Sequence, residues 1–184
     1  MPNHEIILGV TGGIAAYKSA ALCSLAVQSG CDVTVVMTDA ATRFVGPATF
    51  AALTGRAVRR HVFDTDGPGA SHPLGAHIEL AREASLLCVA PASASFLAKA
   101  AHGLADDLLS TLYLSFTGKV LIAPAMNTEM WNKPVVQRNV AQLQADGADI
   151  IGPDSGWLSC RDTGAGRMSS PEAIWERIQA TLAS

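Results

Sequence analysis

Glu5–Ile6–Ile7–Leu8–Gly9–Val10–Thr11–Gly12–Gly13–Ile14–Ala15 decides the fold. The run from Glu5 to Val10 is apolar and strand-sized, and Thr11–Gly12–Gly13 is built for a tight turn. Ile14 to Gln28, rich in Ala and Leu, reads as a helix that ends at Gly30. Asp32 to Thr38 is a second apolar run. A strand, a glycine turn, a helix and another strand make the opening unit of a parallel sheet covered by helices. The predicted class is therefore α/β, a doubly wound, Rossmann-like parallel sheet.

The same alternation continues along the chain. Pro47 opens a helix through about Leu53, Gly55 closes it, and Arg56 to Val62 reads as a short strand. Asp64 to Ala76 is rich in Gly and Pro and reads as a mobile flap carrying His72. A short helix begins near His77 and leads to a buried strand, Leu86 to Ala90. Pro91–Ala92–Ser93–Ala94–Ser95 follows, then a helical stretch. Lys119 to Ala123 is the next strand, Glu129 to Ala145 a helix and Asp149 to Ile151 the last strand. Gly152 to Ser170 has four glycines and no periodicity, the mark of a functional loop. Pro171 to Leu182 closes the chain as an amphipathic helix.

Composition narrows the classes of function. The chain has 184 residues, 49% hydrophobic and 16% charged, with a net charge of −3. That suits a single domain over residues 1–184 with a real core, and excludes disorder or a coiled coil. No basic block exists to neutralise nucleic acid, no apolar run is long enough for a membrane span, and the start lacks a basic leader. The expectation is a cytoplasmic protein with neither partner. Cys23, Cys31, Cys88 and Cys160 are widely spaced, so neither zinc nor a disulfide framework is indicated.

In doubly wound sheets, ligands sit outside the carboxyl ends of the strands, and the segments there are distinctive. Gly12 and Gly13 let the backbone approach a phosphate at a helix N-terminus, although GxGxxG is not met and Tyr17 stands where a P-loop needs Gly. Ser93 to Ser95 offers hydroxyls that either touch a ligand or cap the next helix. Asn127, after Ala123–Pro124–Ala125–Met126, has the same two readings. Cys160 lies in a Gly-rich, charged loop with Gly164–Ala165–Gly166–Arg167–Met168, unlike the other three thiols, which sit in helix or strand patterns. His77 is a base candidate and His72 its rival. His4, His61 and His102 read as surface or packing residues, and Lys18 as a solvated charge.

Taken in order, these segments resemble the flavin-dependent cysteine decarboxylase family. Its members show a glycine-rich first turn, His-Ile-x-Leu, Pro-Ala-Ser-Ala-Asn-Thr, Pro-x-Met-Asn followed by Met-Trp, and a cysteine-bearing Gly-Arg-Met clamp. Here these stand as Thr11 to Ala15, His77 to Leu80, Pro91 to Phe96, Pro124 to Asn127 with Met130–Trp131, and Cys160 to Met168. Gly103 to Leu109 matches a further stretch. The chain departs from the pattern at Ser95–Phe96, where Asn-Thr is usual, and at Arg161, where Gly is common.

The resemblance implies a flavoprotein-type fold and FMN, with Gly12, Gly13, Ile14, Thr38, Phe44, Ser93, Ala94 and Ser95 as its contacts and no metal. It implies decarboxylation of 4′-phosphopantothenoylcysteine to 4′-phosphopantetheine in coenzyme A biosynthesis. Losing CO2 leaves a carbanion, which oxidation of the substrate's CH2–SH group to a C=S group can delocalise. His77 would assist the oxidation, Asn127 would hold the carboxylate, and Cys160 would give the proton that completes the product. Met126, Arg167 and Met168 would contact or cover the substrate. A homotrimer or assembly of trimers is implied, with FMN near subunit contacts. A separate ligase would supply the substrate, since the ligase region fused in many members does not follow here. The alternatives are a peptidyl-cysteine decarboxylase, which stops at the enethiol, a non-catalytic flavin-binding regulatory subunit, and the flavin prenyltransferases, which share the fold.

Overall fold

The computed structural model describes residues 4–63 and 75–183. Its strands are β1 (Glu5–Val10), β2 (Asp32–Met37), β3 (Leu86–Ala92), β4 (Lys119–Pro124), β5 (Asp149–Ile150), β6 (Asp154–Trp157) and β7 (Thr163–Arg167). Its helices are α1 (Ala16–Gln28), α2 (Pro47–Thr54), α3 (Ala76–Glu83), α4 (Ala94–His102), α5 (Leu108–Ser115), α6 (Thr128–Trp131), α7 (Pro134–Ala145) and α8 (Pro171–Ala183). The first five strands form one sheet in the order β2-β1-β3-β4-β5, with every pairing parallel. The order reverses between β1 and β3, and such a switch point opens a crevice at the strands' carboxyl ends.

Period-two alternation divides each strand between two cores. Ile6, Leu8 and Val10 of β1, with Leu86, Cys88 and Ala90 of β3, pack under α1, α2 and α8. Ile7, Leu87 and Val89 pack on the other face, against Leu97, Leu109, Leu112 and Leu143 of α4, α5 and α7. Gly9 in β1 makes room for Leu109, since a Cβ there would lie 2.7 Å from Leu109 Cδ1 and force that side chain to shift. Cys23 and Cys88 are core residues whose thiols burial pushes up to about 11 and about 12.

Three expectations need correction. Arg56 to Val62 is not a strand; it meets the sheet at one bridge, Arg59 to Val36. Its charges draw it elsewhere, with Arg56 bound to Glu5 at 2.7 Å and Arg60 to Asp39 at 3.2 Å. The helix read from Glu129 to Ala145 is two helices, since Pro134 has no N–H to continue the first and instead opens α7. Gly152 to Ser170 holds the antiparallel hairpin β6–β7, whose glycines and polar residues hid any strand period. The helix near His77 is α3. Residues 64–74 of the expected flap, with His72, lie outside the described residues.

Candidate functional site

The turn after β1 is stitched to the end of β3. Thr11 is buried, donates through Oγ1 to the Pro91 carbonyl at 2.7 Å and accepts from the Ser93 N–H at 2.8 Å. Ser19 Oγ donates to the Ala90 carbonyl at 2.6 Å. Gly12 lies against the segment after β2, where its Cβ would come 2.5 Å from Ala40 Cβ, whereas a Cβ on Gly13 would meet nothing within 4 Å. Gly12 thus serves close packing, and Gly13 keeps the backbone open toward the crevice.

The β6–β7 hairpin is fastened to the segment that follows β4. The Met126 N–H donates to the Gly166 carbonyl at 2.9 Å, and Thr128 Oγ1 to the Ala165 carbonyl at 2.8 Å. Side chains at Gly164 and Gly166 would collide with Thr128 Oγ1 and the Met126 carbonyl, and Gly166 also has a φ of 127°. Asn127 caps α6, its Oδ1 accepting from the Met130 N–H at 2.8 Å. Capping therefore orients the amide and leaves Nδ2 as the group with hydrogens to give.

Between this hairpin and the first turn lies a cavity of about 410 Å³, lined by Gly13, Ile14, Lys18, Met126, Asn127, Trp157, Cys160, Arg167 and Met168 among others. The structure thus gathers seven of the expected site residues into one cavity. Cys160 is exposed at the hairpin turn, whereas Met168 is only 1% exposed and offers mainly its backbone. Lys18, expected to be a solvated charge, donates from Nζ to the Met168 carbonyl at 3.2 Å. Burial, then the nearby Arg167 charge, holds its ammonium below the ordinary 10.5. Arg167 lies across Gly156, where a Cβ would come 2.9 Å from its Nη1. No carboxylate stands among the described lining residues, so this is a cationic cavity in a chain of net charge −3. Lys18, Tyr17 and Trp157 were not read as site residues from the sequence, although a lysine one turn into a helix that starts at a strand end is a readable signal.

The other expected contacts lie outside that cavity. Thr38 lines a separate one of about 260 Å³ with Asp39, Arg60 and Asp106. Phe44 is half exposed. Ser93 Oγ caps α4 by accepting from the Phe96 N–H at 3.3 Å, Ala94 is half-buried and Ser95 is exposed. Phe96, where the family has Thr, is buried and packs edge-to-face on Tyr113 with centroids 6.0 Å apart. His77 stands in the first turn of α3, with Nδ1 buried and without a hydrogen-bond partner among the described residues. It does not line the Asn127–Cys160 cavity. FMN, implied by the resemblance, suits the crevice: the open backbone at Gly13, the apolar Ile14 and Met126, and the cations Lys18 and Arg167 match a flat ring with an anionic tail.

A family model described as Flavoprotein matches residues 1–183. The coenzyme A biosynthesis bifunctional protein CoaBC of Haemophilus influenzae is 45% identical over 96% of this chain, and that of Bacillus subtilis 45% over 94%. The chain spans 43% and 41% of those proteins' lengths. A PPC decarboxylase Cys-to-Ser mutant complexed with pantothenoylaminoethenethiol superposes with a TM-score of 0.89 at 29% identity, covering 99% of this chain and all of that one. SpaF, an FMN-dependent cysteine decarboxylase, gives 0.82 at 35% identity over 98% of this chain and 95% of its own. The chain belongs to the Flavoprotein family, which contains the cysteine decarboxylases that its motifs resemble.

Proposed function

We propose that the chain is a single-unit, cytoplasmic, FMN-dependent lyase that decarboxylates 4′-phosphopantothenoylcysteine to 4′-phosphopantetheine. One observation carries the reading: Asn127 and Cys160 line one cationic cavity at the open first turn. The name PPC decarboxylase and the ligand of that structural relative support it, as do the CoaBC relatives.

Gly12, Gly13 and Ile14 would hold FMN, with Thr38, Phe44 and Ser93 to Ser95 around its remaining edge, and Met126 and Met168 would contact or cover the substrate. FMN bound there would supply a two-electron sink for the substrate's CH2–SH group and the hydride that completes the product. Asn127, oriented by its cap, donates from Nδ2 to the substrate carboxylate. Lys18 and Arg167 draw the anionic substrate in, and partial burial strengthens the field of Lys18, while Arg167 stays exposed. Once CO2 has left, the electron pair rests on the enethiolate, and the Cys160 thiol gives the proton to carbon. A serine there would be far too weak an acid.

His77 assists the oxidation by handling the substrate proton. Its distance from the cavity's lining is accounted for by a homotrimer in which His77 of one subunit completes the site of another. Ile14, Tyr17 and Trp157 are 55%, 61% and 65% exposed at the cavity, an apolar rim for that contact. A ligase activity supplies the substrate. Retention of Cys160 favours this reading over a peptidyl-cysteine decarboxylase, which needs no such donor.

The test is CO2 release by the FMN-loaded protein from 4′-phosphopantothenoylcysteine and, separately, from peptides ending in cysteine. Release from the small molecule alone is expected. Release only from peptides, or from neither, would overturn the proposal.

A further inference from the structure

We propose that the Arg59–Glu79 ion pair is the positioning device for His77, and so sets the rate of the oxidative step; this rests on the role given to His77 above. Helix α3 has eight residues and starts at Gly75, at a φ of 93°, with no side-chain cap. A helix so short is not stable by itself, so its place is fixed by what holds it to the rest of the molecule. Ala76 and Leu80 bury one face. A polar tie runs from Glu79, two residues beyond His77, whose Oε2 lies 3.3 Å from Arg59 Nη2.

Arg59 is anchored at both ends. Its N–H donates to the Val35 carbonyl at 2.9 Å, and its carbonyl accepts from the Met37 N–H at 2.9 Å. Its side chain is 11% exposed, and a planar guanidinium so buried holds a fixed direction. The end of β2 is thereby coupled to the first turn of α3.

His77 needs such a coupling. A catalytic base is ordinarily oriented by a third group bonded to it, yet Nδ1 has no hydrogen-bond partner among the described residues. The ring lies over Gly75, where a Cβ would be 3.1 Å from Cε1. Its direction therefore follows the backbone of α3, which Ala76 and Leu80 pack in place and the Glu79–Arg59 pair ties to the end of β2.

The test uses the FMN-loaded protein and the rate of substrate-driven flavin bleaching in a single turnover. Arg59→Met should lower kcat by about 10-fold to 100-fold, the scale of a misplaced catalytic group, with KM and bound flavin little changed. Glu79→Gln should do the same and serves if Arg59→Met fails to fold. In a His77→Asn background, either change should have no further effect. In the flavin-free protein, Arg59→Met should also move the His77 ring proton resonance and leave that of His102 in place. An unchanged kcat, or an equal fall with and without His77, would overturn the inference while leaving the proposed function standing. Full activity of His77→Asn itself would overturn both the inference and the role given to His77.

Discussion

At the scale of single residues, Asn127 has two separable duties. Its Oδ1 caps α6, and the residue lines the cavity, where Nδ2 is the group left to donate. Asn127→Asp keeps a capping oxygen, so thermal stability should hold within about 0.5 kcal/mol. It removes the donor and sets a carboxylate against the substrate's own, so turnover should fall by about 100-fold or more. A melting curve and an initial rate on the same preparation check both. Both readings of Asn127 open in the sequence are thus compatible, and the same holds for Ser93 as a cap beside the site. Thiol reactivity is a second check: of the four cysteines only Cys160 is exposed. Iodoacetamide should modify Cys160 rapidly in the native protein and the other three only on unfolding. Rapid native labelling of Cys23 or Cys88 would contradict their burial.

At the scale of elements, the hairpin and the capped helices carry the energetics. Gly166→Ala would put a side chain at a positive φ and against the Met126 carbonyl. It should cost about 2 kcal/mol, visible as a lower Tm, and detach the Cys160 turn so that activity falls further than stability. Asp107 closes a capping box on α5, accepting from the Ser110 N–H at 2.8 Å and from Lys99 Nζ at 2.7 Å. Burial raises its pKa, but the Lys99 and Ser110 bonds outweigh that and leave it below the ordinary 3.8. Its stabilisation is therefore complete above that value and lost as the pH falls through the lower folded one. Asp107→Ala should cost about 1 kcal/mol at pH 7, a difference that denaturant titrations should show shrinking below pH 4. The strands and most helices were legible because apolar runs and Gly or Pro punctuation mark them. The hairpin was not, because Gly156, Gly164 and Gly166 answer to Thr128, Met126 and Arg167, contacts that no local pattern carries.

At the scale of the whole molecule, the parallel sheet gathers Gly13, Asn127 and Cys160 at its carboxyl edge, as the order of motifs implied. The gap between His77 and their cavity was not legible, since sequence order says nothing about which side of the crevice a residue occupies. Complementation should expose the proposed sharing of sites: mixed refolding of His77→Asn with Asn127→Asp subunits should recover activity that neither homo-oligomer has. No recovery, with mixed oligomers demonstrated, would place each site within one subunit. The most direct test of the account is the mass of the product made by FMN-loaded Cys160→Ser from 4′-phosphopantothenoylcysteine. The account predicts that CO2 is lost, the flavin stays reduced, and the product is the enethiol, two hydrogens lighter than the 4′-phosphopantetheine made by the unaltered protein. Full conversion to 4′-phosphopantetheine by Cys160→Ser would contradict it.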